Sequence, residues 1–269
     1  IEETIAVLVE GAGGIDAELG ADKRTSRGIL QGAKEQRYRD IAKYWGTFLR
    51  RYDLTDTGKH SSDTCLLAFA KDLEKDDMPL ALKLMHNRDE YEREVEMRKL
   101  GDGSELDGAH VLQLLDSIEL EENADEHDAR LKGEDSFRFL HVMDRAQKDL
   151  SDALSHGRIA GRDRKQIVKI ASQIAEHLRY LNEECGRIHG DIKPRNIVLL
   201  QLGDELVWIL IDLDASCEIG SLAGQKVTSS AFLSPEMARQ RLVGSTPKAD
   251  RVRASVQLEM WAFGVVLHQ

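Results

Sequence analysis

Apolar and polar positions follow two periods along this chain, and each change of period marks an element. Between Gln36 and Arg51, the residues Tyr38, Ile41, Trp45 and Phe48/Leu49 recur at spacings of three and four, which predicts a helix over 36–51. From Tyr52 the pattern shortens to strand-like runs: Tyr52–Thr57, Cys65–Ala70, Leu80–Met85, His110–Ile118 and Ser136–Met143. Asn87-x-x-Glu90 reads as a helix start, with Tyr91, Glu94/Val95 and Arg98 following on one face. Arg164–Glu184 is the clearest amphipathic helix, with Ile167, Ile170, Ile174, Leu178 and Leu181 on one stripe and Gly186 as its stop signal. Ile197–Leu202 and Leu206–Leu213, joined by Gly203-Asp204, read as a hairpin. Leu258–Leu267 is apolar nearly all round, as a helix buried at a domain's centre should be.

Composition narrows the picture without deciding it. A chain of 269 residues can hold one two-lobed domain or two small ones. Hydrophobic content of 41% beside 32% charged residues fits a globular chain, and the net charge of −11 argues against nucleic acid as the main partner. Cys65, Cys185 and Cys217 are far apart and lack metal-ligand spacing, so a reduced compartment, the cytoplasm, is expected. There is no apolar run long enough to span a bilayer, and no signal peptide is visible in a chain that begins at Ile1. The early Ile5–Val9 run and Glu10-Gly-Ala-Gly-Gly14 lack both a G-K-[ST] ending and a complete G-x-G-x-x-G. They read as a turn, not a phosphate loop. Glu119–Asp135 is polar and mostly acidic, which reads as a surface insertion.

The chemistry concentrates in Arg187-Ile-His-Gly-Asp-Ile-Lys-Pro-Arg-Asn196, where Asp191, Lys193 and Asn196 form D-x-K-x-x-N before an apolar run. A carboxylate so placed can accept a proton from an attacking hydroxyl. The lysine can neutralise a transferring phosphoryl group, and the asparagine oxygen can ligate magnesium. A lone Asp or Asn in a loop is usually a turn residue; the whole string is not explained that way. If the hairpin forms, its second strand returns Asp212 beside Asn196, giving two hard oxygen ligands for one metal site.

This stretch resembles the catalytic loop of the eukaryotic-type protein kinases, with Gly190 in place of an arginine. Further stretches carry the resemblance across about 52–269. Ala81-Leu-Lys83 resembles V-A-I-K, and Glu94 fits the glutamate that pairs with that lysine, with Glu92 and Glu96 as possible substitutes. Asp212-Leu-Asp214 resembles D-F-G, Ser234-Pro-Glu236 resembles A-P-E, and Leu258–Leu267 resembles D-x-W-S-x-G-V-x-L with Glu259 in place of aspartate. In the glycine-rich loop only Gly58 matches; His60 and Asp63 stand at the other glycine positions.

The resemblance implies an α+β, two-lobed fold: a five-stranded small lobe at about 52–146 plus one helix, and a mainly helical, incomplete large lobe at about 147–269, preceded by an extension at 1–50. It implies an ATP- and Mg2+-dependent kinase acting on protein Ser/Thr hydroxyls, with no membrane segment. Asp191, Lys193 and Asn196 would be catalytic, and Asn196 with Asp212 would hold the metal. Lys83, Glu94, Gly58, Cys65, Ala81, Met143, Asp144, Ala146 and Val198 would bind nucleotide. The chain stops just after the last motif, so apolar large-lobe surface is expected to be exposed. Two other readings stay open: a pseudokinase serving as a binding module, and a small-molecule phosphotransferase, whose relatives often carry His-Gly-Asp.

Overall fold

The computed structural model describes residues 47–57, 65–120, 137–157, 159, 161–224, 230–243 and 251–269. The expected helix before residue 47, the Gly58 loop and the acidic insertion from residue 121 lie outside them. The first part of the described chain is a six-stranded antiparallel sheet. It is built from β1 (Thr47–Phe48), β2 (Tyr52–Thr57), β3 (Cys65–Asp72), β4 (Met78–Met85), β5 (Asp116–Glu119) and β6 (Phe139–Asp144), in the order β1-β2-β3-β4-β6-β5. Helix α1 (Arg88–Glu96) follows β4 and is capped by Asn87, whose Oδ1 accepts from the amides of Asp89 and Glu90 at 2.8 and 3.3 Å.

Three sequence expectations change here. The helix over 36–51 does not reach residue 51: Thr47–Phe48 pairs with β2, and Leu49 and Arg50 take positive φ, which ends any helix. That pairing adds a sixth strand to the five expected, and Phe48 joins the core of Leu66, Leu80, Leu82, Leu84 and Leu140. The run His110–Ile118 is a strand only at Asp116–Glu119. Its first half is diverted onto the second part of the molecule, where Val111 bridges Leu210 and the Leu112 amide donates to the Leu210 carbonyl at 2.9 Å.

The second part contains α2 (Leu150–His156), α3 (Arg164–Arg179), α4 (Pro235–Val243) and α5 (Val256–His268), with the short strands β7 (Lys148–Asp149), β8 (Arg187–Ile188) and β11 (Cys217–Glu218) and the hairpin β9 (Ile197–Leu202) and β10 (Glu205–Leu210). The α3 stripe packs as its period requires: Ile170, Ile174, Leu178 and Leu181 are buried, and the helix continues into a π-helical turn at Tyr180–Glu184. The β9–β10 register places Leu210 opposite Ile197. The strand ends there rather than at Leu213, because Asp212 turns to φ 68°. Among the described residues no helix is long and apolar enough to cross a membrane. Met260, Trp261 and Leu267 on α5, with Leu242 and Val243 on α4, are exposed, so α5 is not buried all round as its apolar sequence predicts.

Candidate active site

Strand β4 lies between β3 and β6, so period-two alternation gives it two different faces. Leu80, Leu82 and Leu84 fill the sheet core, while Ala81 and Lys83 point the other way. Lys83 Nζ donates to Glu94 Oε2 at 2.6 Å and to Asp212 Oδ1 at 2.8 Å. Of the three candidate glutamates on α1, Glu94 is the buried one; Glu92 is exposed and pairs with Arg88. Burial alone would lower the Lys83 pKa, but the carboxylates of Asp212 and Glu94 overcome it and hold the ammonium above the usual lysine range. Burial pushes Glu94 the other way, yet Lys83 and Arg98 keep its carboxyl below the usual range.

Behind this pair lies His141, fully buried, whose Nδ1 meets Ser117 Oγ at 2.9 Å and whose ring stacks on Tyr91. Desolvation first, with Lys83 and Arg98 adding to it against Glu94, brings its pKa down to about 4. The folded protein therefore keeps His141 neutral where the unfolded chain takes up a proton. Stability is complete above the unfolded value of about 6.5 and is lost as pH falls toward the folded value. The expected loss from this group is on the order of 3 kcal/mol, read as a lower urea midpoint at pH 4 than at pH 7. His141→Phe should flatten that part of the slope.

The catalytic-loop candidates meet in one buried turn between β8 and β9. Lys193 Nζ donates to Asp191 Oδ2 at 2.5 Å, and Asn196 Nδ2 donates to the Asp191 carbonyl at 2.9 Å and to Oδ2 at 3.1 Å. With the Asn196 amide nitrogen committed to Asp191, the Asn196 side-chain oxygen is the atom left to face a cation. A hard oxygen from Asn196 and a carboxylate from Asp212 suit Mg2+ completed by phosphate and water, so the residues present fit the ion. Among the described residues no group of three or more His, Cys, Asp or Glu could hold a metal without such help.

Three residues outside the expected site set fix this turn. His189 Nε2 donates to the Ile211 carbonyl at 2.9 Å, so its Nδ1 is free to accept from the Asp191 amide at 3.3 Å. Asn182 donates to the Arg187 carbonyl at 2.9 Å and to Glu259 Oε2 at 2.7 Å. Glu259, on α5 and buried, accepts from the amides of His189 and Gly190 at 2.6 and 3.2 Å, so the extra methylene relative to aspartate does not prevent anchoring. Burial raises its pKa against the pull of these donors. Gly190 has φ 81°, and a Cβ there would lie 2.3 Å from the Ala215 carbonyl oxygen. The backbone after Asp212 occupies the space a side chain would need, which is why this position takes glycine. Asp214, at the position of the family's glycine, is buried in a 3-10 turn at Leu213–Ala215.

The nucleotide-binding candidates fall into two groups. Ala81 is the register partner of Met143, and Met143, Val198 and Ala146 join one apolar cluster with Leu112, Leu200 and Ile209. That cluster spans the junction between the six-stranded sheet and the β9–β10 hairpin. Asp144 ends β6, half-buried, and burial raises its carboxyl pKa. Cys65, also half-buried, packs against Met85, Tyr91 and Phe139 near α1. Gly58 lies outside the described residues.

Comparison with known proteins bears on this constellation. The chain is 35% identical over 102 residues to the inhibitor of nuclear factor kappa-B kinase subunit beta of Bos taurus, covering 37% of this chain and 12% of that protein. It is 30% identical over 111 residues to the subunit alpha of Gallus gallus, 40% of this chain and 13% of that protein. It is also 48% identical over 42 residues to the serine/threonine-protein kinase spk-1 of Caenorhabditis briggsae, 16% of this chain and 4% of that protein. The chain thus spans only a small part of the relatives it matches. The description "Protein kinase domain" matches residues 69–269, most of the chain, including the Lys83–Glu94 pair, the Asp191 turn and the Glu259 anchor. The chain belongs to the protein kinase domain family.

Proposed function

We propose that the chain is an ATP- and Mg2+-dependent protein kinase that phosphorylates serine and threonine hydroxyls. The observation that carries this reading is the convergence of Lys83 on both Glu94 and Asp212, one strand-turn away from the Asp191, Lys193 and Asn196 turn. Lys83, held by Glu94, would pair the α- and β-phosphates, and Ala81, Met143, Val198 and the backbone of Asp144–Ala146 would enclose adenine. Asn196 and Asp212 would hold Mg2+, which when bound supplies charge neutralisation for the phosphates. Asp191 would orient the acceptor hydroxyl and take its proton as the hydroxyl oxygen attacks the γ-phosphorus. The bond to the bridging oxygen breaks, and ADP leaves. Lys193, now on Asp191, would turn to the phosphoryl oxygens as charge moves onto them. Lysine two places after the aspartate favours Ser/Thr acceptors by family analogy, as does the similarity to the serine/threonine-protein kinase spk-1. The kinase domain would occupy about 52–269, with β1 attached to its sheet, and cysteines that form no disulfide fit a cytoplasmic location.

Incubation with ATP, Mg2+ and a mixed protein substrate, followed by phosphoamino-acid analysis, tests the acceptor class. Phosphoserine and phosphothreonine are expected. Phosphotyrosine alone, or transfer to an aminoglycoside instead of protein, would contradict this reading. The pseudokinase alternative is favoured by one specific feature: His60 and Asp63 stand where glycines would let backbone amides reach phosphates.

Gly190 also removes the arginine that elsewhere in the family helps receive an activation-loop phosphate. Replacing Thr228, Ser229 and Ser230 together with alanine is therefore expected to leave the transfer rate within about two-fold of the wild type, a change of under ~0.5 kcal/mol in the barrier. A near-total loss would show that control still runs through those hydroxyls.

A further inference from the structure

Two buried arginines tie α1 to the rest of the molecule, and neither is used by the chemistry above. Arg98 follows α1 and is 6% exposed; Arg187, in β8 just before the catalytic turn, is 7% exposed. Arg98 donates from one guanidinium nitrogen to the Glu94 carbonyl at 2.9 Å and from the other to the Leu112 carbonyl at 3.3 Å. That second nitrogen also lies 3.3 Å from Glu94 Oε1, so the carboxylate that holds Lys83 through Oε2 is gripped by Arg98 on its other oxygen. Arg187 reaches across from the second part of the chain to the C-terminal end of α1. One nitrogen donates to the carbonyl of Met97, the helix C-cap, and the other to the Lys99 carbonyl at 3.0 Å.

A helix C-terminus exposes carbonyls and carries partial negative charge, so a forked cation there satisfies acceptors and opposes the dipole at once. The loop Arg98 reaches is itself fastened to the second part. The Leu112 amide donates to Leu210, the Asp107 amide to the Tyr180 hydroxyl at 2.7 Å, and His110 meets His177 at 3.0 Å. His177 Nε2 donates to the Trp208 carbonyl, so with His177 neutral the proton between the two rings is carried by His110. An outward swing of α1 would carry Arg98 along with Glu94, pull Arg98 off the Leu112 carbonyl and part the helix end from Arg187, leaving buried guanidinium groups without acceptors, a costly arrangement.

We infer that Arg98 and Arg187 are positioning residues that clamp α1 inward, so that the chain itself holds the Lys83–Glu94 pair in place and couples it to the catalytic turn. This rests on reading that pair as the nucleotide-positioning one, but the geometry it claims can be tested without transfer activity. The experiment compares wild type, Arg187→Met and Arg187→Lys, without nucleotide, by residue-resolved hydrogen exchange and by the rate at which an amine-acylating reagent modifies Lys83. In Arg187→Met, exchange in 88–99 is expected to rise roughly 10- to 100-fold, the range set by losing charge-assisted hydrogen bonds, while β9 and β10 keep their protection. Lys83 should acylate faster, and Arg187→Lys, which keeps the charge but loses the fork, should lie between. If Arg187→Met does not fold, Arg187→Lys against wild type gives the same decision. Unchanged exchange in 88–99, or a rise shared equally by β9 and β10, overturns the clamp. Localised loosening in a chain that transfers no phosphate would uphold the clamp and reject the kinase reading alone.

Discussion

Asp191→Asn is expected to lower kcat for phosphoryl transfer by about 10²- to 10⁴-fold, the range for removing a positioned general base. The substitution keeps size and the Asn196 contact but cannot take the acceptor's proton. It also removes the charge that holds Lys193 Nζ at 2.5 Å. Because the loop backbone is fixed independently by Glu259 and His189, the fold should survive and KM for ATP should change little. Steady-state kinetics beside a melting curve checks this. Residual kcat above about one tenth of wild type would mean that Asp191 is not the base.

The second large effect concerns stability. Glu259→Ala would leave the amides of His189 and Gly190 and the Asn182 side chain facing a cavity at the centre of the molecule. Each buried donor left without its acceptor costs about 1–3 kcal/mol, so a total on the order of 3–5 kcal/mol is expected, with loss of activity as the turn relaxes. Glu259→Gln retains one acceptor oxygen and should fall between. Urea unfolding gives the answer. A loss below about 1 kcal/mol would show that the catalytic turn is held by its neighbours and not by α5.

Much of this architecture was legible from residues whose role is local. The α3 stripe, the Asn87 cap and the Gly203-Asp204 hairpin follow from periodicity and turn chemistry, which need only neighbours in sequence. Lys83, Glu94 and Asp212 could be nominated by motif, and they do meet. What was not legible depends on contacts distant in sequence. Phe48 and Leu49 fit a helical spacing, but pairing with β2 overrides it. His110–Ile118 has strand composition, yet its first half is captured by Leu210, nearly a hundred positions away. Arg98 shares a helix face with Tyr91 and Glu94 and Arg187 opens the catalytic stretch, but their burial against α1 is not legible from sequence. Arg187 lies two places before His189-Gly-Asp, close to the catalytic turn, which was the one available hint.

The account stands on phosphoryl transfer. The most direct measurement follows phosphate from ATP with Mg2+ to a mixed protein substrate, comparing the wild-type chain with Lys83→Met, which empties the position between Glu94 and Asp212. The prediction is clear incorporation by the wild type and none above background by the variant. No transfer above the variant from a folded wild-type sample would contradict the kinase reading and favour a binding module built on the same fold.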